Sequence, residues 1–276
     1  MNITAADVNK LRKQTGAGMM DCKNALVEAN GDFEAAVDIL RKKGQKIAAK
    51  RSDRDASEGV VLAKNSADGA YGALVVLNCE TDFVAKNEDF TRFAENILDI
   101  AITKKPVSLD ALKALPYMES GMTIEEKITE QTGVIGEKLD LSAYETVQAG
   151  SVVSYVHPGN RLASIVGLSL AGNYSEVGRD VAMQVAAMAP VSLDEKDVPQ
   201  DVIAREIEIG RDMAIQEGKP AEMADKIAIG RLNKFYQENT LLNQAFIKDN
   251  KKSIKQYLSE SEKGLSVTSF KRYSLS

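Results

Sequence analysis

Apolar positions along this chain change period several times, and each change marks an element. Over residues 1–45 they recur three or four apart: Val8 and Leu11 behind Thr4, a stretch from Met19 to Ala29, then Phe33, Ala36, Val37 and Leu40 behind Asp32. That spacing lines one face of a helix. Thr4 and Asp32 are good N-caps, and Thr15-Gly16-Ala17-Gly18 and Asn30-Gly31 interrupt the period, so three short helices are predicted. Such a small bundle has little core of its own and is expected to dock on something.

From residue 59 the pattern shortens to that of strands. Gly59-Val60-Val61-Leu62, a turn at Asp68-Gly69 and Leu74-Val75-Val76-Leu77 read as a hairpin, followed by a helix carrying Phe90, Phe93, Ala94, Ile97 and Ala101. The plan recurs as Ser151-Val152-Val153-Ser154-Tyr155, a turn at Pro158-Gly159-Asn160, Ile165-Val166-Gly167-Leu168, and a helix with Val177, Val181, Val185 and Met188. A duplicated hairpin-plus-helix core of α+β class is therefore expected. Between the copies, Thr123-Ile124-Glu125-Glu126 is a capping box that opens another helix. Residues 199–236 form a helical hairpin turned at Gly218-Lys219-Pro220, its arms carrying Val202, Ile203, Ile207, Met213, Met223 and Ile227. Residues 253–258 read as a helix and 265–270 as a strand. The expected organisation is a docking module at 1–45, a basic linker at 46–57, core subdomains at 58–148 and at 149–198 with 237–276, and the hairpin at 199–236. The hairpin arms are expected to pack on each other, with self-association as a further role.

Composition narrows the function. The net charge of −5 gives no general case for nucleic-acid binding. The basic run from Lys42 to Arg54 contains no aromatic residue for bases to stack on and reads as a solvated linker helix. Cys22 and Cys79 lack metal-ligand spacing and suit a reducing compartment. No leader and no membrane-length apolar run are apparent, so a cytoplasmic protein without membrane contact is expected. His157, the single histidine, excludes multi-histidine metal sites.

Candidate chemistry is sparse. Cys79 and His157 fall at equivalent ends of the two hairpins, where a thiol–imidazole pair is conceivable. Against it, Cys79 continues a buried strand, and no phosphate loop or nucleophile elbow is present. Met19 and Met20 point about 100° apart on a helix; one is expected in the core and the other free for an adaptable contact. Asp82-Phe83 follows the strand end Leu74-Val75-Val76-Leu77-Asn78-Cys79. The pair reads either as local capping of helix and core, or as an outward aromatic–acid pair suited to another protein's pocket.

Two segments carry a specific resemblance. Cys79-Glu80-Thr81-Asp82-Phe83-Val84-Ala85-Lys86 and Leu11-Arg12-Lys13-Gln14-Thr15-Gly16-Ala17-Gly18-Met19-Met20-Asp21-Cys22-Lys23-Asn24-Ala25-Leu26 resemble, in the right order, the two signatures of the bacterial elongation factor Ts family. The resemblance implies a ubiquitin-associated-like N-terminal module, a coiled-coil insertion at 199–236, and nucleotide exchange on elongation factor Tu without covalent chemistry or cofactor. It implies a wedge of Thr81, Asp82, Phe83 and Val84 beside the partner's magnesium and phosphate site. It also implies contacts through Leu11, Arg12, Met19, Met20 and Lys23, through Ile135, Gly136 and Glu137, and through His157. After Glu137 the family's basic residues are replaced by Asp140-Leu141-Ser142. Many members continue past the final strand into a helix that touches the partner. This chain runs to Tyr273-Ser274-Leu275-Ser276, and that contact is expected to be missing.

Overall fold

The computed structural model describes residues 3–275; Met1, Asn2 and Ser276, which belong to the expected terminal segments, lie outside the described residues. Helices and strands are mixed as an α+β chain, in line with the pattern. Helix α1 (Ala5–Thr15) starts behind Thr4, which exchanges hydrogen bonds with Asp7 in a capping box. Helices α2 (Met19–Glu28) and α3 (Phe33–Lys50) follow, the latter capped by the Asp32 carboxylate. Leu11, Cys22, Ala25, Leu26 and Ala36 form their shared core. Helix α3 extends into the basic segment because Gln45-Lys46-Ile47-Ala48-Ala49-Lys50 contains no helix breaker.

Two compact units divide the chain: the described residues up to 62 with 75–144 and Leu275, and residues 63–74 with 145–274. Strands β1 (Glu58–Asn65), β2 (Tyr71–Cys79) and β3 (Asp140–Gln148) pair in the order β1-β2-β3. All nine residues of β2 are buried, as a central strand covered on both faces requires. Asn78 ties its neighbours together, donating to the Glu58 carbonyl at 3.0 Å and accepting from the Ser142 hydroxyl at 2.5 Å. Between β2 and β3 lie α4 (Asp82–Ala85), α5 (Glu88–Lys104), α6 (Leu109–Lys113) and α7 (Ile124–Ile135). The apolar face of α5 buries Phe90, Phe93, Ala94, Ile97, Leu98 and Ala101, and α7 opens on the capping box of Thr123 and Glu126. Helix α7 crosses α3 at Gly133 and Gly44, where a Cβ on Gly133 would stand 2.2 Å from the Gly44 Cα.

In the second unit, β4 (Ser151–Val156) and β5 (Leu162–Leu168) form an antiparallel hairpin, and α8 (Ser175–Met188) packs against both. Next come α9 (Gln200–Gln216), α10 (Ala221–Asn239), β6 (Ala245–Phe246), β7 (Asp249–Ser253), α11 (Ile254–Ser261) and β8 (Val267–Ser274). Strand β8 pairs antiparallel with β5. Each of the two three-stranded sheets thus adds a late strand, β3 or β8, beside the second strand of its hairpin. Val166, Leu168, Val181, Val185, Leu241, Ile254, Leu258 and Val267 share one core.

The α9–α10 pair differs from expectation in what lies between its arms. Gly210, Ala214, Ala224, Ala228 and Leu232 are buried, whereas Met213 and Met223 are exposed. Small residues let the helices approach closely, and the long side chains are left outside: a Cβ on Gly210 would stand 3.2 Å from the Ala228 Cα. Ion pairs Arg211–Asp225 and Arg231–Glu217 tie the arms together.

Candidate functional site

Strand β2 ends at Cys79, and the chain leaves it through Glu80 and Thr81 into the single helical turn α4. Thr81, extended at φ −124°, is the N-cap, with its hydroxyl accepting from the Val84 N–H. Asp82 is therefore the first helical residue and not the cap of the long helix, whose N-cap is Asn87. Its carboxylate accepts from Lys86 Nζ at 2.6 Å one turn on, and that hydrogen bond holds its pKa below the usual value. Phe83 does not cap the local core: it is 83% exposed, the one aromatic among the exposed large hydrophobics of the described residues. Val84 faces elsewhere, lining an apolar cleft of about 230 Å³ with Gly16, Phe90, Phe93, Val134 and Ile135.

The turn is fastened from two sides. Glu137, just past the α7 C-cap Gly136, accepts from the Thr81 N–H at 3.0 Å and from the Thr81 hydroxyl at 2.7 Å. Glu80 accepts from the Lys138 N–H at 2.6 Å and from Arg51 Nη1 at 2.7 Å. The Lys138 amide, then Arg51, hold the Glu80 carboxyl below the usual carboxylate range, against the opposing effect of burial. The Glu137 carboxylate is thus engaged inside the chain, although sequence reasoning placed it on the partner surface. Glu80 and Arg51 were missed altogether, since their pairing links positions 29 apart and leaves no local signal.

On the N-terminal module, Arg12, Met19, Met20 and Lys23 are exposed. Two expectations need correction. Leu11 is fully buried, because its helical period turns it into the three-helix core, so its side chain offers no surface contact. Neither methionine is core: Met19 and Met20 are 51% and 63% exposed, since Cys22, Ala25 and Leu26 already occupy the inward face of α2. Val27, unmarked in the sequence reading, is exposed and extends the apolar strip one turn beyond Lys23; its i+7 spacing from Met20 was the available signal.

His157 is exposed on the β4–β5 turn, with Nδ1 2.9 Å from the Tyr155 hydroxyl. Its N–H donates to the Leu162 carbonyl at 2.8 Å, and Asn160, at φ +56°, completes the reversal. Cys79 is buried, its thiol donating to the Thr81 carbonyl at 3.2 Å. Burial first, then nearby Glu137, pushes that thiol up to about 12. A nucleophilic cysteine needs the opposite shift. Among the described residues no group of three or more His, Cys, Asp and Glu is arranged to hold a metal, and no helix is long and apolar enough to cross a membrane.

Comparison with known proteins bears on the same segments. The family model described as Elongation factor TS matches residues 80–276. The elongation factor Ts of Christiangramia forsetii is 52% identical over 274 residues, covering 99% of this chain and 98% of its own length. That of Cytophaga hutchinsonii is 54% identical over 276 residues, covering 99% of each. The Chloroherpeton thalassium protein of the same name is 45% identical, covering 99% of this chain and 98% of its own. With a match over more than half the chain and relatives this similar along its whole length, the chain belongs to the elongation factor Ts family.

Proposed function

We propose that this chain is a guanine nucleotide exchange factor for elongation factor Tu, acting in the cytoplasm during translation elongation. The observation that carries the reading is Phe83: a phenyl ring almost wholly in solvent, beside a carboxylate, on a turn fastened by five hydrogen bonds to Glu137 and Glu80. An exposed aromatic on a fixed support suits insertion into a pocket. Full burial of such a side chain is worth about 1.5–3 kcal/mol. That energy offsets displacement of the partner's elements that hold magnesium and the phosphates, a site with strict octahedral demands. Asp82, kept ionised beside Lys86, adds negative charge near phosphate oxygens and disfavours the closed site.

The exposed strip of Arg12, Met19, Met20, Lys23 and Val27, the cleft edge at Ile135 and Gly136, and the turn histidine His157 serve as anchors. In this reading α1–α3 are a ubiquitin-associated-like docking module and α9–α10 a coiled coil, the latter available for self-association through Ile209, Met213, Met223 and Ile229, which are exposed. The factor binds the GDP-bound partner, drives GDP out, and holds the nucleotide-free partner until GTP rebinds. No bond is made or broken. The protonated thiol of Cys79 argues against the alternative of thiol catalysis.

The test is release of labelled GDP from elongation factor Tu with the natural chain and with Phe83→Ala. Strong acceleration by the natural chain and loss of about tenfold or more in the variant are expected, the rate equivalent of about 1.4 kcal/mol. No acceleration by either protein overturns the exchange function. Equal acceleration by both removes the wedge and leaves the anchors.

A further inference from the structure

A wedge keeps only the binding energy that remains after its own ordering has been offset, so the way the turn is held matters to its output. Glu137 and Glu80 hold it in a crossed arrangement. Glu137 takes the Thr81 N–H at 3.0 Å and hydroxyl at 2.7 Å. Glu80, the residue before Thr81, takes the N–H of Lys138, the residue after Glu137, at 2.6 Å. Each segment's carboxylate thus binds the other segment's backbone amide. Arg51 adds contacts of 2.7 and 2.9 Å to the two oxygens of Glu80, and Lys138 Nζ donates to the Ser52 and Arg54 carbonyls at 2.7 and 3.0 Å.

Capping α4 needs none of this, because the Thr81 hydroxyl alone caps a single turn. What the crossed bonds add is a fixed relation between α4 and the end of α7. Gly136, at φ +81°, ends α7 and allows the reversal that brings Glu137 to Thr81. Helix α7 is itself seated on α3 through Gly133 and Gly44. A continuous set of packed and hydrogen-bonded groups therefore ends at Phe83.

We infer that Glu137 and Glu80 are positioning residues for Phe83: their crossed carboxylate clamp holds α4 so that the phenyl ring is presented in one orientation before the partner arrives. The inference rests on the wedge reading above. It reassigns Glu137 from a contact on elongation factor Tu to a group that acts through Thr81. A charged acceptor is required, because Thr81 presents two donors; glutamine offers one acceptor oxygen and sets an amide against the second donor.

The experiment measures GDP release from elongation factor Tu over a range of factor concentrations, separating saturating rate from half-saturating concentration. The proteins are the natural chain, Glu137→Gln, Glu80→Gln, Phe83→Ala and Glu137→Gln/Phe83→Ala. Amide exchange at Thr81 and Val84 is followed in the free factors. The clamp predicts faster amide exchange in Glu137→Gln and Glu80→Gln. It predicts saturating rates lower by between about threefold and tenfold, with little change in half-saturating concentration. The decisive reading is the double variant. If Glu137 acts through Phe83, it costs nothing more once the ring is gone. A full, additive loss in the double variant overturns the inference, as does a natural saturating rate in Glu137→Gln. Should Glu137→Gln fold poorly, Glu80→Gln, which leaves the Thr81 cap of α4 intact, decides by the same rate and exchange criteria. A natural rate in Phe83→Ala is a different failure: it removes the wedge itself, and the clamp's purpose with it.

Discussion

Cys79 and Phe83 stand four residues apart, and burial gives them opposite properties. The thiol is closed off, with its pKa raised from 9.0 to about 12, while the ring is left in solvent. Cys79 is thereby inert rather than nucleophilic, and alkylation should show it. Iodoacetamide at pH 8–9 is expected to leave Cys79 unmodified in the folded chain and to label it after denaturation; rapid native labelling would restore the thiol–imidazole reading. The same shift sets a stability window. The unfolded thiol ionises near 9.0 and the folded one near 12, so its contribution is whole below pH 9 and is lost as pH rises towards 12. Residue by residue, the site was legible where a side chain's fate follows from the period of its own element. The outward setting of Arg12 and Lys23 and the inward one of Cys79 are of this kind. The period also placed Leu11 inside, against its expected contact role. It failed where partners come from distant segments: nothing near Glu137 in sequence announces that its carboxylate is taken up by Thr81, 56 residues earlier.

Elements were legible to the extent that their ends carry chemistry. Thr4, Asp32 and Thr123 cap the helices that their positions mark, and the buried strand β2 stands out as an apolar run. Strand β3 was missed because Glu145 interrupts the alternate row of Leu141, Ala143 and Val147 while Tyr144 falls on the opposite face, and its pairing with β2 is a long-range choice. The crossing of α3 and α7 was equally hidden, since a glycine in a helical run usually reads only as a weak point. Here the two glycines are unequal. A methyl group on Gly133 meets Gly44 backbone at 2.2 Å, whereas one on Gly44 meets its nearest atom at 3.5 Å, an ordinary contact. Gly133→Ala must push the helices apart and is expected to cost about 1–3 kcal/mol. Gly44→Ala is expected to be neutral or to gain up to about 1 kcal/mol through reduced backbone freedom in the unfolded chain. Urea denaturation of the two variants checks the asymmetry, and a Gly133→Ala variant as stable as the natural chain would show that the crossing is not as close as described.

At the scale of the whole molecule, an exchange factor must couple two binding events, and anchors and wedge contribute to that coupling in different ways. If the factor weakens GDP binding to elongation factor Tu by some factor, GDP weakens binding of this chain by the same factor. In the proposed mechanism an anchor such as Met20 or Lys23 touches the partner whether or not nucleotide is present. Met20→Ala is therefore expected to weaken binding to the GDP-bound and nucleotide-free partner alike, leaving their ratio unchanged. In the same proposal Phe83 works only against the closed nucleotide site. Phe83→Ala should lower affinity for the nucleotide-free partner more than for the GDP-bound one, so that the ratio shrinks. Titration calorimetry of both variants against both forms of the partner gives the four affinities. A ratio that falls for Met20→Ala and holds for Phe83→Ala would move the coupling from the β2–α5 turn to the N-terminal helices. A ratio that falls only for Phe83→Ala makes the exposed ring the source of the coupling, and leaves the remaining surface to determine how tightly, rather than in which state, the partner is held.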